Sequence, residues 1–545
     1  MAPSTPIQYS FLPSSPTSTD ASNSSPTYLR PPIPMKSKRF RLRPIQAFLI
    51  LSIVAIVTLP FAHYHKDRVS SYFSSNYVYN DLSIQHIPQA SGGLPDHLNI
   101  PITLEARLSY LLSRPALEQW EAELPNRHGC PMYTFNRNEY FAHTGKEDQW
   151  RSVGTTDIRR YRSKMVDYLR GVEREGGKLV WDNSMEAHVP EEERRGIIFT
   201  GGEGKTLARM KISLQMLRHV LHTTLPIEVY HFPDELQDPQ ARAQLVDTFD
   251  VKLVQIGEKR LDTEKSWHIK NEAFLATNFT EFIYLDSDNI PLIDPRTLFD
   301  GIEYKQSGSV FWADLNKDHP DNAIFRIVGK TCTDDHWPAE TGQLVFDKRG
   351  NNGLNLAILH LSNHMMKNPD MYGFLSYGDK DTFRFAFYAL GLPYQQAPKI
   401  FASAGGYQTE NGESSLNFCG HSMIQWGLTP PSAKHDPSYH PPPAFLHTIL
   451  AKHRNGLQPS KLFTHIRRPR LDGISEPLLV RTLYEWTGDC FAITLKGPDG
   501  LPESENSMMD GQGVIMQDMS DLLGGGEVWE ELKALSEVFV KINQH

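Results

Sequence analysis

Apolar residues recur at helical spacing from Ile102 to Leu124, at Leu104, Leu108, Leu111, Leu112 and Leu117, and Pro125 follows. Ile158 to Val172 has the same spacing. The pattern then changes. Gly196-Ile197-Ile198-Phe199-Thr200-Gly201-Gly202 reads as a buried strand that ends in a glycine turn. Lys205 to His222 places Leu207, Met210, Leu214, Leu217 and Leu221 on one helical face. Pro226 to Phe232 is the next strand. Strand, helix and strand make a βαβ unit, so an α/β domain is expected. Phe249 to Val254 is a third strand. His268 to Asn278 is a helix leading into a fourth, Phe282-Ile283-Tyr284-Leu285. Val310 to Asp314 and Glu340 to Asp347 add short strands, and a helix opens at Tyr377-Gly378-Asp379-Lys380-Asp381 and runs to about Leu390. Pro430 to Pro443 is a proline-rich loop. After residue 460 the pattern gives one helix, Val528 to Ile542, a Gly/Asp-rich stretch over 491–526 and no visible chemistry. No internal repeat is present. The expected divisions are a helical lead-in at 101–190, the α/β domain at 191–460 and an extension at 461–545.

The fourth strand runs straight into Asp286-Ser287-Asp288, and Asn289 and Pro291 should stop it. Two carboxylates then stand at the carboxyl end of a buried strand, where open α/β sheets place ligands. Side chains two apart on a strand share a side. Two carboxylates held together repel unless a cation lies between them. A hard divalent ion with positions left for phosphate oxygens suits that pair. The bland alternative is a strand-end turn with solvated acids.

Other residues gather around this reading. Lys270, on the helix before the strand, faces forward and can reach a phosphate; a solvated helix lysine is the alternative. Asp379 and Asp381 stand at a helix amino terminus, where capping explains one acid but not two. Glu340 and Gln343 lie at the mouth of a short strand. His421 and His447 each lie in an apolar stretch, and Lys452 follows His447 by five residues. A neutral imidazole completes a metal shell while an ammonium meets phosphate. Gly202-Glu203-Gly204-Lys205-Thr206 is not a P-loop, because Phe199 stands where its first glycine belongs. A glycine turn at Gly201 can still let backbone approach a nucleotide.

Composition places this domain. The net charge is −9 over 545 residues, which gives no basic footprint for nucleic acid. Ile45 to Ala62 is uncharged and apolar apart from Gln46, Ser52, Thr58 and Pro60, and basic residues precede it. Its 18 residues reach the lower end of the spanning range, and the basic flank orients the amino terminus to the cytoplasm. We therefore expect a cytoplasmic tail at 1–44, an uncleaved signal anchor at 45–62 and a stem at 63–100, with the rest lumenal. The tail is rich in Ser, Thr and Pro and reads as disordered. The four cysteines (Cys130, Cys332, Cys419, Cys490) contain no CxxC pair, so zinc is not expected. One or two disulfides in any of three full pairings remain open. Asn278-Phe279-Thr280 is a glycosylation sequon beyond the anchor.

Three motifs in order carry a resemblance: Tyr284-Leu285-Asp286-Ser287-Asp288-Asn289-Ile290-Pro291, Glu340-Thr341-Gly342-Gln343, and Gly378-Asp379-Lys380-Asp381-Thr382-Phe383-Arg384. Over roughly 195–455 the chain resembles the fungal Golgi α-mannosyltransferases that build branches on mannan and N-glycan outer chains. The resemblance implies a GT-A type nucleotide-sugar fold with a mixed, mostly parallel sheet, GDP-mannose as donor, Mn²⁺ as cofactor, a mannose-containing glycan as acceptor and an α-linkage made with retention. Other Golgi mannosyltransferases are implied partners, and the Golgi membrane the implied location. Asp286 and Asp288 would hold metal and diphosphate, with His447 as third ligand and His421 its competitor. Lys452 and Lys270 would meet phosphate; Thr200, Gly201 and Gln343 would line the donor site. Glu340, Asp379 and Asp381 would orient the acceptor or stabilise the sugar cation. The linkage, α-1,2 or α-1,3, stays open. Two rivals stand beside this. A haloacid-dehalogenase-type phosphatase also uses a strand and DxD, but it wants Thr or Val where Ile290 stands, and its motif opens the domain. A non-catalytic anchored subunit would have to lose activity by a change elsewhere, since all the candidate acids are present.

Overall fold

In the structure, a computed structural model, the described residues are 100–544 apart from 131–145, 258–265, 316, 334–336, 377, 411–412, 454–456, 470–477, 484–489 and 496–513. By contacts the chain divides into Met1–Val78 and Tyr79–His545, and the described residues belong to the second unit. The expected tail and anchor, and all of the stem but its last residue, lie outside the described residues. Among these, no helix is long and apolar enough to cross a membrane.

The longer helices of the lead-in, among the described residues, are α1 (Leu104–Ser113), α2 (Gln119–Gly129) and α3 (Thr155–Arg174), with a short helical turn at Glu147–Ser152 before α3. The βαβ unit follows as β1 (Arg195–Thr200), α4 (Gly204–Gln215) and β2 (Ile227–His231), with α4 continuing through a wider turn to Val220. Then come β3 (Val251–Gln255), α5 (His268–Ala276), β4 (Glu281–Leu285), β5 (Asn289–Pro291), β6 (Ser309–Ala313), β7 (Ala339–Asp347), α6 (Asn355–Lys367), α7 (Lys380–Leu390) and β8 (Gln395–Gln396). The rest is mostly strand: β9 (Ala402–Glu410), β10 (Glu413–Trp426), β11 (Pro443–His447), β12 (His465–Pro469), β13 (Leu478–Leu483), β14 (Cys490–Leu495) and β15 (Val514–Asp518), closed by α8 (Glu527–Gln544).

The first sheet has the order β3-β2-β1-β4-β7-β6-β8. Only β7 runs against the others, so the sheet is mixed and mostly parallel, as expected. Both faces are covered, and β4 shows how. Phe282 and Tyr284 belong to one buried cluster with Phe274 and Phe346, while Ile283 and Leu285 belong to another with Phe199 and Leu214. Period-two alternation feeds two cores from one strand. Each such aromatic contributes about 2–3 kcal/mol by leaving water.

The second sheet has the order β13-β14-β10-β9-β12-β15, with β11 pairing both β10 and β5. Here the structure departs from the sequence reading. Residues 289–291 do not end a strand; they begin one in another sheet. Pro291 fits because β5 pairs only with β11, so its missing N–H breaks no ladder. Residues after 460, in which only one helix was expected, supply β12 to β15 and α8. Their apolar runs are short and interrupted, so periodicity did not reveal them.

The lead-in packs on the α/β domain through buried arginines. Arg162 on α3 is 1% exposed, and its guanidinium donates to the carbonyls of Arg114, Pro115, Arg326 and Ile327. Burial lowers its pKa to about 10. Cys130 after α2 is bonded to Cys332, and Cys419 on β10 to Cys490 on β14. Arg162→Met would strand four carbonyls, and we expect a loss of about 3 kcal/mol or more. A guanidinium chloride midpoint within error of the wild type would contradict this.

Candidate active site

The site is built at the carboxyl end of β4. The chain leaves the first sheet at Leu285, turns through Asp286-Ser287-Asp288, and enters the second at Asn289. The Asn289 N–H donates to Asp286 O at 3.0 Å, which closes the turn. The two acids converge through this turn rather than through strand alternation.

Each sheet brings its own neighbour. β7 is antiparallel to β4, so its beginning lies beside β4's end, with Leu285 opposite Gln343. The pairing of β6 with β7 jumps from Phe311–Leu344 to Trp312–Glu340, which loops out Thr341, Gly342 and Gln343. Gly342 O accepts from Asp286 N at 2.7 Å and from Asn289 Nδ2 at 2.8 Å. From the other sheet, β11 pairs with β5 and sets His447 opposite Asn289. Thr448 then donates both N–H and Oγ1 to Asp288 O, each at 3.0 Å.

The result is a cluster in which one ligand atom each from Asp286, Asp288 and His447 lies within 4.8 Å of the others. Nε2 of His447 is 3.4 Å from Asp288 Oδ2, and its Nδ1 is 3.5 Å from Glu340 Oε1. Lys452 Nζ meets Asp288 Oδ2 at 2.7 Å. Lys270 Nζ lies 2.6 Å from Asp379 Oδ2 and 3.4 Å from Asp286 Oδ1, donates to Thr341 O at 3.0 Å and sits over the Tyr284 ring. Tyr284 donates to Asp286 Oδ1 at 2.5 Å, and its oxygen is 2.9 Å from Thr200 Oγ1.

Charge explains the arrangement. Three carboxylates (Asp286, Asp288, Asp379) face two ammonium groups (Lys270, Lys452), and Glu340 faces the His447 imidazole. A set of carboxylates with one imidazole suits a divalent cation such as Mn²⁺. Burial would raise the Asp288 pKa, but Lys452 and His447 outweigh it and hold the carboxyl well below its usual range. Burial would lower His447, but Asp288 and Glu340 hold it above its ordinary value. Glu340 is pushed up by burial, as is Asp379, which also faces Asp286. Burial works against the Lys270 ammonium, yet Asp286 and Asp379 keep its pKa raised.

Several expected site residues take different places. Asp381 has both oxygens engaged, accepting from Arg384 at 2.8 Å and from Ser376 at 3.1 Å. Arg384 is fully buried and also clamps Asp318 with two bonds of 2.6 and 2.7 Å. Gln343 is buried and accepts from Asn289 Nδ2, which fixes the turn. Gly201 holds a left-handed φ of 101° and donates to Tyr230 O at 2.8 Å. His421 lies on β10, outside the three-residue cluster. Asn278 is exposed, while Thr280 of its sequon is buried and bonded to Glu186 at 2.9 Å. Tyr284 and Thr448 were not singled out from sequence, and Asn289 was read only as a strand stop. Tyr284 was readable in principle, two residues before Asp286 and so on its side of the strand.

This is a mixed, mostly parallel α/β sheet with an acidic cluster at its carboxyl edge, where such sheets place ligands. A family described as "Mannosyltransferase putative" matches residues 194–336 and 331–427. The alpha-1,2-mannosyltransferase MNN22 of Candida albicans is 24% identical over 279 residues, 42% of this chain and 46% of its own. MNN5 of Saccharomyces cerevisiae, with the same description, is 24% identical over 335 residues, 49% of this chain and 54% of its own. The match thus spans about half the length of these relatives. Among solved structures, core-mannan synthase A from Aspergillus fumigatus in its Mn/GDP form aligns over 40% of this chain and 77% of its own, at 10% identity and a TM-score of 0.26. Over residues 194–427 the chain is thus similar to this mannosyltransferase family.

Two measurements test the cluster. A Cβ on Gly342 would lie 2.3 Å from the His447 ring, so Gly342→Ala must displace the imidazole. Mn²⁺ affinity, read by electron paramagnetic resonance, should fall about 10–100-fold; unchanged binding would remove His447 from the ligand set. A proton on His447 competes with the cation. Because its pKa is raised, affinity should climb with pH through and beyond about 6.5, the ordinary histidine value. His447→Gln should flatten that segment.

Proposed function

We propose that the chain is a metal-dependent, retaining α-mannosyltransferase that moves mannose from GDP-mannose to a mannose hydroxyl of a glycan. The carrying observation is the gathering of Asp286, Asp288 and His447 within 4.8 Å where the two sheets meet. That the relatives are alpha-1,2-mannosyltransferases favours an α-1,2 linkage. The apolar segment at 45–62 and the two disulfides support a lumenal Golgi enzyme on a type II anchor.

Asp286, Asp288 and His447 would hold the cation, which supplies positive charge for the departing diphosphate. Lys452 stands beside Asp288, where it adds a second positive group without reorganising. Lys270 is committed to Asp379 and Asp286, so it serves by holding the acids in place. Glu340 keeps Oε1 on the Gly342 N–H at 2.7 Å, which fixes its carboxyl for orienting the acceptor sugar. Asp381 acts indirectly, as part of the Arg384 clamp. The acceptor oxygen bonds to the anomeric carbon on the face the diphosphate leaves, and the hydroxyl proton passes to the departing phosphate oxygen.

The test uses purified residues 66–545 with GDP-mannose and α-mannobiose. We expect a trisaccharide whose formation stops with EDTA and falls about 100–1000-fold or more in Asp288→Ala. Product NMR should give an α-1,2 bond. Transfer that survives EDTA, or hydrolysis of an aryl phosphate with no sugar transfer, would overturn the reading.

A further inference from the structure

α8 lies outside the family-matched segment and packs on α4. Asn543, near its end, is 6% exposed. Its Nδ2 donates to Phe539 O at 2.8 Å, which orients the amide, and its Oδ1 accepts from Arg209 Nη1 at 3.3 Å. Arg209 is on α4. One turn further along that helix, Ser213 Oγ donates to Asn289 O at 2.7 Å. The face of α4 shared by residues four apart therefore lies against the residue that follows Asp288. Arg209 stands about 5–6 Å from Ser213 on that face, toward the glycine turn after β1.

This guanidinium is poorly satisfied. Its Nε is buried without a hydrogen-bond partner, and no described residue forms an ion pair with it. Burial lowers its basicity, and the charge that opposes this is Asp288. A partly desolvated guanidinium with five donors and one long bond to a neutral amide lacks an anion. Lys452 meets Asp288 from the β11 side, and the α4 face that carries Arg209 lies against Asn289 from the other, so the two cations flank the turn that would hold the cation of a metal–diphosphate pair.

We propose that Arg209 is a contact for the donor's diphosphate and that Asn543, on the carboxyl-terminal helix, positions it. This rests on the nucleotide-sugar reading of the site. An arginine suits the role because its planar fork meets two phosphate oxygens at once.

The experiment is calorimetric titration of GDP into the purified full chain with saturating Mn²⁺. It compares wild type with Arg209→Met, Arg209→Lys, Asn543→Ala and the Arg209→Met/Asn543→Ala double variant. Mn²⁺ binding without nucleotide is measured in each. We expect Arg209→Met to lose about 10–100-fold in GDP affinity, Arg209→Lys to recover part of it, and Asn543→Ala to lose less. The double variant should match Arg209→Met alone, because Asn543 acts through the arginine. Mn²⁺ affinity should stay within about twofold, since neither residue is a ligand. GDP binding by Arg209→Met within twofold of wild type overturns the contact. An equal fall in Mn²⁺ affinity overturns it too, in favour of a structural role. Additive losses overturn the positioning role of Asn543. If wild type binds no GDP, the nucleotide-sugar reading itself fails, which is a different result from a wild type that binds while Arg209→Met binds equally.

Discussion

The turn through Asp286-Ser287-Asp288 is where the two sheets exchange the chain, and the site depends on that exchange. β4 ends in the parallel-type sheet and β5 begins in the antiparallel one, with only these three residues between them. Each sheet is held by its own ladder, so the turn is fixed from both ends. Gly342 O takes the Asp286 N–H, and Thr448 takes Asp288 O. Two like charges are kept together because the surrounding backbone leaves them no other place. The repulsion is offset by positive groups from both sides, Lys270 from the first sheet's helix and Lys452 from just after β11. A carboxylate pair held this way can receive a cation without refolding around it.

The same geometry explains why a glycine must stand at 342. The looped-out segment of β7 passes directly under the His447 ring, and any side chain there would occupy the imidazole's place. Glu340, two residues earlier, turns its carboxyl back onto the Gly342 N–H and toward His447. The acidic segment is thus not a row of independent ligands. It is a bent strand whose backbone holds the turn and whose one glycine admits the ring from the other sheet.

The sequence allowed the βαβ start, the buried fourth strand and the acidic pair to be read, because each rests on local pattern: a period of two, a period of 3.6, a glycine turn. The pairing of His447 with Asp288 was reached through a resemblance and not through spacing, since 159 positions separate them and only strand pairing brings them together. Asp381 illustrates the opposite case. Its motif drew it into the site, but Arg384, three residues on and on the same helical face, takes its charge. The i,i+3 spacing was visible, but Asp318, which completes the clamp, lies 66 residues away. The late strands β12 to β15 escaped because their apolar runs are short and broken by charged residues such as Arg467 and Arg468. Such strands gain their stability from the sheet they join, so their own sequence carries little signal.

Those late strands change what the carboxyl-terminal region does. β12 pairs with β9, β15 with β12, and β14 with β10, to which Cys419–Cys490 also ties it. β10 in turn carries β11, and β11 carries His447. The residues after 460 therefore brace the sheet that delivers the imidazole, while α8 folds back onto α4 from the other side. A segment outside the family-matched stretch supports the site from two directions, by a ladder to His447 and by an amide to Arg209. Removing it should cost more than a tail is worth, because the second sheet would lose its outer strands and β9 would be left as a bare edge.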